Sequence, residues 1–489
     1  MAKAKTSGAP RKVANHWLIL VLLALAQFMV VLDVSIVNVA LPAIQKAFHM
    51  SQQNLQWIIT MYTLTFGGFL LLGGRACDLY GPRRVFACGL ATYGGASLLG
   101  AMAFCPELLI TGRALQGIAG AFLFPATLTL ISTRFARGPA RIRAFSVWGA
   151  AGGIGMILGS LLGGALTQTF GWQAVFYVNV LLAGLASVTA FALIAPDAVR
   201  DPSRRFDLAG ALTSTIGTTA LVFALVQGPE SGWDAPVIRI SAAVGVLLLL
   251  AFVVVEQNSS DPLMPLWLFR DRNLRTGVGV TFLTGATMGT LLYFLTVYFQ
   301  VVHDYTALET GLAYVVPMGA IFAGAMWGGG LATRFGVRTT LIAGLTVGAV
   351  GMVLVALAMS PDGTYLELVP GLVVLGLRQG TGYTLMFVAT TISVGPHQQG
   401  TGYGMASASQ QIAGAVGLAV LVAVSSSDEE GVTGSALRAA TTDSVRTAVL
   451  VAAAGVVATV VLATNFARDT RRRAVPRVGA VELEVASAA

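Results

Sequence analysis

The chain is poor in charged residues. Only 11% of its 489 residues are Asp, Glu, Lys or Arg, whereas about 25% is usual in soluble globular proteins. Hydrophobic residues make up 55% of the chain, and the mean hydropathy is +0.77. This composition excludes a water-soluble core and predicts an all-α protein that crosses a bilayer many times.

Residues that build metal sites and disulfide frameworks are also scarce. The three cysteines, Cys77, Cys88 and Cys105, are odd in number and lack the spacing of metal ligands. The four histidines lie near the ends of apolar runs, and no catalytic cluster is visible. A phosphate-binding Walker loop is absent as well, which argues against an ATP-driven pump. We therefore expect neither an enzyme nor a cofactor.

Fourteen apolar runs, most of them 20–28 residues long, dominate the chain. About 20 helical residues cross the roughly 30 Å hydrocarbon core of a bilayer. The loops between the runs alternate between arginine-rich and nearly uncharged, which predicts cytoplasmic termini and accounts for the net charge of +8 without nucleic-acid binding. The runs lie near residues 17–42, 54–74, 84–104, 107–131, 144–167, 172–194, 208–227, 236–256, 276–300, 310–333, 339–359, 365–392, 401–424 and 445–466.

The two halves of the chain resemble each other. Gly74–Arg83 follows the second run, and Gly329–Arg338 follows the tenth with the same Gly-x6-Gly-x-Arg pattern. The copies run in the same direction, as in transporters built from two parallel lobes around a central site. The predicted organisation is a cytoplasmic tail (1–16), a six-helix lobe (17–194), a linker with two extra spans (195–275), a second six-helix lobe (276–466) and a basic cytoplasmic tail (467–489).

Asp33 is the only acid in the first run. A carboxylate at mid-membrane costs on the order of 2.5–3.5 kcal/mol, so it requires a reason. One interpretation is a group that gains and loses a proton during transport. The other is a structural acid that stays protonated and hydrogen-bonded, or one that lies near a helix end.

Several segments resemble the major facilitator superfamily, in particular its fourteen-span drug:proton antiporters of bacteria. They are Leu32–Pro42, the loop Gly74–Arg84, Arg113–Gly117 and the glycine run Gly155–Gly164. The resemblance extends over nearly the whole chain, with three departures. Ser35 stands where threonine is usual in the family, Ser160 where proline is usual, and Gln173 where arginine is usual.

The resemblance implies a major facilitator fold and a proton-coupled antiporter. It would export small hydrophobic drugs or antibiotics, neutral or anionic, across the bacterial cytoplasmic membrane by alternating access. We expect it to act as a monomer in the lipid bilayer, with a small molecule and protons as its partners. Two alternatives remain: a facilitator that moves a metabolite without antiport, and a membrane receptor that transports nothing.

The resemblance also assigns roles to residues. Arg113 becomes the partner of Asp33 in proton coupling, unless it reaches outward and only braces helices. The gating loop comprises Gly74, Asp78, Gly81, Arg83 and Arg84. Asp78 would hold the helix N-terminus near Gly400 across the lobe interface, unless it only caps its own turn. The glycines of the run Gly149–Gly164 should contact the tenth span closely. Within this run the resemblance assigns the antiporter motif of the fifth helix to Gly155, Gly159, Gly163 and Gly164.

Arg378 is the least expected residue, because it lies within the twelfth run and the ninth to fourteenth runs contain no acid apart from Glu367 at the start of the twelfth. It either favours a neutral or anionic substrate or serves as a structural residue bonded to helix backbone. The residues predicted to line a substrate cavity are Asn38, Tyr62, Gln116, Phe124, Trp148, Tyr293, Gln300, Arg378 and Gln410.

Overall fold

A computed structural model describes residues 16–50, 52–136, 138–197, 207–305, 307–395, 398–425 and 434–467. Most of these residues are helical, as the composition predicts. The predicted tails therefore lie almost wholly outside the described residues, and so does the side chain of Ser160. The helices are α1 (His16–Phe48), α2 (Gln52–Tyr80), α3 (Pro82–Ala101), α4 (Pro106–Arg134), α5 (Pro139–Phe170), α6 (Ala174–Leu193), α7 (Leu208–Ser231), α8 (Pro236–Asn258), α9 (Arg272–Met288), α10 (Leu291–Val297), α11 (Ala307–Ala313), α12 (Val315–Phe335), α13 (Val337–Ala358), α14 (Tyr365–Thr391), α15 (Gln399–Ser425) and α16 (Gly434–Ala463).

Among the described residues, 13 helical stretches are long and apolar enough to cross a membrane. The predicted span that is not among them is α3, which has 20 residues but carries Arg83 and Arg84 in its first turn. It packs against α4 and α6 inside the bundle. With α3 included, the described helices account for the fourteen predicted spans.

The helix starts follow local chemistry. Proline is the first residue of α3, α4, α5 and α8, where its missing N–H costs no hydrogen bond. Gly81 precedes α3 with a φ of 88°, a conformation that favours glycine. The turn between α2 and α3 can be this tight only because Gly81 has no side chain.

The helix packing repeats along the chain. In the first half α1 contacts α5 and α6, α2 contacts α4, and α3 contacts α4 and α6. In the second half α9 contacts α15 and α16, α12 contacts α14, and α13 contacts α14 and α16. The halves meet where α2 packs on α15 and where α5 packs on α12, while α7 and α8 pack on each other beside α2. The contact pattern is that of two similar six-span units.

The ninth span is not one continuous helix. It is made of α9, α10 and a π-helical turn at Tyr298–Val302, and Gly289 and Thr290 interrupt the helix between α9 and α10. The run near 276–300 predicted a span here, and Arg272–Val302 is long and apolar enough to be one, but hydropathy gave no sign of the interruption. Broken helices in membrane proteins are tolerated where the freed backbone lines a cavity or is buried in protein.

Candidate functional site

Asp33 lies in the middle of α1 and is fully buried. Its Oδ2 accepts a hydrogen bond from Arg113 Nη1 at 2.5 Å, which is also an ion pair. Its Oδ1 accepts from Asn179 Nδ2 at 2.6 Å and from Gln116 Nε2 at 3.2 Å. The contact expected between Asp33 and Arg113 is present, and three donors from α4 and α6 surround the carboxylate.

The guanidinium of Arg113 has a second layer of partners. Its Nε donates to the carbonyl of Ile58 at 3.1 Å, and Nη1 also donates to Gln116 Oε1 at 2.8 Å. The guanidinium carbon lies 4.4 Å from the ring centre of Tyr62, a cation–π contact. Gln116 in turn donates to Ser97 Oγ at 2.8 Å. Arg113 therefore does not reach outward, and the network closes on itself inside the first lobe.

A cavity of about 210 Å³ lies between the two lobes, away from Asp33. Helices α1, α5, α9, α10, α12 and α14 form its walls, and α10 is the helix that follows the break after Met288. None of the side chains that line it is charged, and most are apolar. Its polar lining residues are Gln27, Gln379, Tyr314 and Tyr383.

None of the nine residues predicted to line a substrate cavity lines this one, and their role in substrate binding stays a prediction. Tyr62 and Gln116 belong to the Asp33 network. Asn38 is exposed and donates to the carbonyl of Val34 at 2.6 Å. Tyr293 and Gln300 are exposed, and Gln410 turns its backbone carbonyl toward α9.

Arg378 misses the cavity because of helix register. On α14 the cavity-lining positions include Leu372, Gly376, Gln379 and Tyr383, which recur every three or four residues. Arg378 lies between them on another face of the helix, where it is buried. Spans could be placed from hydropathy, but the side of a nearly uniformly apolar helix that faces the cavity could not.

An aromatic layer crosses the lobe interface beside the cavity. Trp148 of α5 stacks on Tyr383 of α14, with ring centres 6.3 Å apart and planes 9° apart. Phe124 of α4 contacts Trp148 edge-on at 5.4 Å and Phe387 at 5.8 Å. Two of the predicted cavity residues, Phe124 and Trp148, thus form part of this layer.

The lobes are also joined at one end of the bundle, which we call the basic end because α1 begins there and Arg83, Arg84 and Arg134 lie there. Asp78 Oδ1 accepts from the backbone N–H of Gly400 at 3.0 Å. Its Oδ2 accepts from the N–H and the hydroxyl of Thr401 at 2.8 and 2.7 Å. Asp78 therefore contacts the N-terminus of α15, as expected, rather than capping only its own turn.

Gly74 allows α2 and α15 to approach closely at the same place. A Cβ at Gly74 would lie 2.4 Å from the carbonyl oxygen of Gly400, too close for any side chain. Nearby, the hydroxyls of Ser132 and Tyr403 are hydrogen-bonded across the interface. The basic end is closed in this structure.

The remaining residues of the gating loop contact Asp197, which follows α6. The backbone N–H groups of Arg83 and Arg84 donate to its carboxylate at 3.2 and 3.3 Å. A Cβ at Gly81 would lie 2.2 Å from the same carboxylate, and Arg134 is 3.7 Å from it. Asp197 was not predicted as a partner, because nothing in its sequence neighbourhood distinguishes it from an exposed loop acid.

Gly155, Gly159 and Gly163 of the fifth helix pack against α1, so the expected contact with the tenth span involves only another part of the glycine run. A Cβ at Gly155, Gly159 or Gly163 would lie 2.6–3.0 Å from a backbone oxygen of α1. It is Gly153, on another face of α5, that lies near α12. Spacing predicted a close glycine contact correctly but not which glycines face which helix, since α1 and α12 both adjoin α5.

Asn179 is the principal site residue to which sequence reasoning gave no role. It is the one amide in the apolar run of α6, and it is fully buried against Asp33. A lone amide in a membrane span was the available signal. Gln27 is likewise an amide in the apolar run of α1, but it lines the cavity and is not part of the Asp33 network.

Comparison with known proteins agrees with this architecture. The model of the Major Facilitator Superfamily matches residues 23–418. Over 415 residues the chain is 38% identical to the puromycin resistance protein pur8 of Streptomyces alboniger, covering 84% of this chain and 82% of that protein. Over 432 residues it is 36% identical to the cephamycin export protein CmcT of Amycolatopsis lactamdurans, covering 88% and 89%.

The fold is similar to that of a solved structure of much lower sequence identity. The human organic anion transporter MFSD10 (TETRAN) superposes with a TM-score of 0.66 at 15% identity, covering 91% of this chain and 98% of that one. The predicted all-α fold is thereby confirmed. On the family match and these relatives, the chain belongs to the major facilitator superfamily.

Proposed function

We propose that the chain is a proton-coupled antiporter that exports small hydrophobic antibiotics, neutral or anionic, from the cytoplasm. The observation that carries the proposal is the buried ion pair of Asp33 and Arg113 in a membrane lobe. The relatives named for puromycin resistance and cephamycin export support antibiotics as the substrates, and the name of the second supports export as the direction.

The Asp33 network supplies the coupling. While Asp33 is ionised, its carboxylate neutralises Arg113 and holds α1 against α4 and α6. A proton on Asp33 removes that attraction and leaves Arg113 with the neutral partners of its second layer, which favours a different packing of α1. Because the network is sealed from water in this structure, proton exchange requires a conformational change.

Helix α1 connects the proton site to the cavity. Gln27 and Val31 of α1 line the cavity, whereas Asp33 faces the interior of the first lobe. The glycine contact fixes α1 to α5, which supplies more of the cavity wall. A shift of α1 on protonation thus changes the cavity without direct contact between proton and substrate.

The cavity supports an apolar substrate. Its lining has no acid that could neutralise a cation, and its volume is below the roughly 300–1,000 Å³ of pockets that hold drug-sized ligands. We expect the cavity to widen when substrate binds. With both termini in the cytoplasm, the closed basic end faces the cytoplasm and the structure represents a state ready to release substrate outward.

The proton gradient supplies the energy. Each charge that crosses the membrane contributes about 2.3 kcal/mol per 100 mV, with the pH difference in addition. One or two protons per cycle therefore sustain a useful concentration ratio.

A susceptibility panel tests the proposed function. An efflux-deficient bacterial host that produces the chain is expected to tolerate raised concentrations of a cephamycin, which carries a carboxylate. Asp33→Asn is expected to abolish that tolerance at equal membrane abundance. Asp234→Asn makes the same chemical change on an exposed carboxylate and is expected to retain it. Full tolerance with Asp33→Asn would contradict coupling through Asp33, and reporter fusions at both termini test the orientation.

A further inference from the structure

Arg378 is a buried cation without a counter-ion among the described residues. Its stem lies against Gly348 and its guanidinium near Gly382, two positions without a side chain. Its Nη1 donates to the sulfur of Met288, and its Nε has no hydrogen-bond partner. No charged group of the described chain interacts with it. A thioether is a weak acceptor, so a permanently charged guanidinium here is nearly unpaired.

The first lobe shows what completes such a site. The spacing along the chain that relates Gly74 to Gly329 also relates Asp33 to Met288. In the first lobe an arginine of the fourth span meets the carboxylate of Asp33. In the second lobe Arg378, from the corresponding span, meets Met288 instead. Alignment of Gln116 with Gln379 places Gly376, not Arg378, opposite Arg113. The second lobe therefore holds a cation close to the corresponding place but not at it, while a neutral side chain stands at the place of the carboxylate.

Met288 separates Arg378 from the cavity. It lines the cavity, and it is also the last residue of α9 before the break at Gly289 and Thr290. Methionine is unbranched, with three rotatable bonds, and readily adapts its conformation. Its side chain is buried in this structure, so a ligand in the cavity reaches Arg378 only after Met288 changes its rotamer. A single movable side chain therefore lies between the cavity and an unpaired guanidinium.

We propose that Arg378 binds the carboxylate of an anionic substrate in the cavity, after Met288 moves aside. The ligand is a hydrophobic molecule with one carboxylate. Its apolar part packs against the apolar cavity wall, and its carboxylate accepts charge-assisted hydrogen bonds from the Arg378 guanidinium, as Asp33 does from Arg113. This inference deepens the proposed function by naming the substrate class. It rests on the proposed function in one respect, namely that the transported substrate binds in this cavity.

A matched pair of probes tests the site. 2-Naphthoate and 2-naphthamide share ring system and size and differ in charge. Binding of each to the purified full-length protein in detergent micelles is measured by calorimetry. The wild type is expected to bind the naphthoate about tenfold or more tightly than the naphthamide, because only the carboxylate makes charge-assisted hydrogen bonds. Equal affinities would overturn the proposal.

Three variants locate the preference. Arg378→Met removes the cation, and Met288→Asp fills the site with a built-in carboxylate that resembles the pair in the first lobe. Both are expected to bind the two probes equally. Met288→Leu keeps the apolar wall and is expected to retain the preference. A preference that survives in both Arg378→Met and Met288→Asp would overturn the proposal. Met288→Asp tests the site without leaving an unpaired buried charge, because the new carboxylate would form an ion pair with Arg378. It therefore keeps the test valid if Arg378→Met fails to fold.

The result is independent of proton coupling, because binding is measured without a gradient. Selective naphthoate binding by a protein that moves no protons would contradict the proposed antiport and support the Arg378 site. Proton-coupled export with no difference between the probes would do the reverse.

Discussion

The ion pair between Asp33 and Arg113 makes a quantitative prediction about stability. Asp33→Asn keeps the size of the side chain and removes its charge. Arg113 then remains buried with the carbonyl of Ile58, the Gln116 amide and the Tyr62 ring as partners, but without a counter-ion. Removing one partner of a buried pair typically costs about 3–5 kcal/mol. If Asp33 were protonated in the resting protein, asparagine would imitate it and the cost would be small.

The double variant Asp33→Asn/Arg113→Met separates the pair from its surroundings. It removes both charges, so no uncompensated ion remains, and replacing a whole buried pair is often nearly neutral. We expect the double variant to be more stable than either single variant, with a coupling energy of at least about 2 kcal/mol.

Reversible unfolding in mixed detergent micelles measures these free energies. The matched control is the exposed pair Asp234 and Arg239, whose neutralisation is expected to give no coupling beyond the measurement error. The reasoning would be refuted if the loss of unfolding free energy in the double variant equalled the sum of the losses in the two single variants. Such additivity would show that the two charges do not stabilise each other.

Two further predictions concern the helix contacts. Gly159→Ala would bring a methyl group within 2.7 Å of the carbonyl oxygen of Leu32, and we expect the free energy of unfolding to fall by about 1–3 kcal/mol in the same assay. Gly164→Ala is the control, because a methyl group there meets only an ordinary contact and should leave stability unchanged. Equal effects of the two substitutions would contradict the assigned α1–α5 contact. Asp78→Asn removes the negative charge that accepts three hydrogen bonds from Gly400 and Thr401. Spin labels at the basic ends of α2 and α15 should then show a larger fraction of molecules in which these ends are far apart. An unchanged distance distribution would contradict a role of Asp78 in holding the basic end closed.

The fold was predictable from the sequence because each membrane span is indicated by the hydropathy of about twenty residues together and by the charge of the loops beside it. Some twenty apolar residues can satisfy their backbone in lipid only as a helix, so counting spans required no tertiary information. The break at Gly289 and Thr290 escaped this reasoning. Glycine and threonine are common within membrane helices, so their presence did not indicate that the helix would be interrupted beside the cavity lined by Met288 and Leu291.

The site was predictable where burial of charge is costly and unpredictable where the residues are apolar. Asp33 and Arg113 had to find partners in the membrane, so each indicated the other. Phe124, Trp148 and Tyr293 carried no such constraint, and which of them would face the cavity depended on the rotation of each helix. The relation between Arg378 and Met288 became visible only when the two lobes were compared in three dimensions.

The central claim is that substrate export and proton entry are coupled through Asp33. Its most direct test uses purified protein in liposomes with an imposed pH gradient and an entrapped pH-sensitive dye. The account predicts that adding a transported antibiotic accelerates proton movement in the wild type and in Asp234→Asn, and does not in Asp33→Asn. Substrate transport by the wild type without proton movement, or substrate-dependent proton movement by Asp33→Asn, would contradict it.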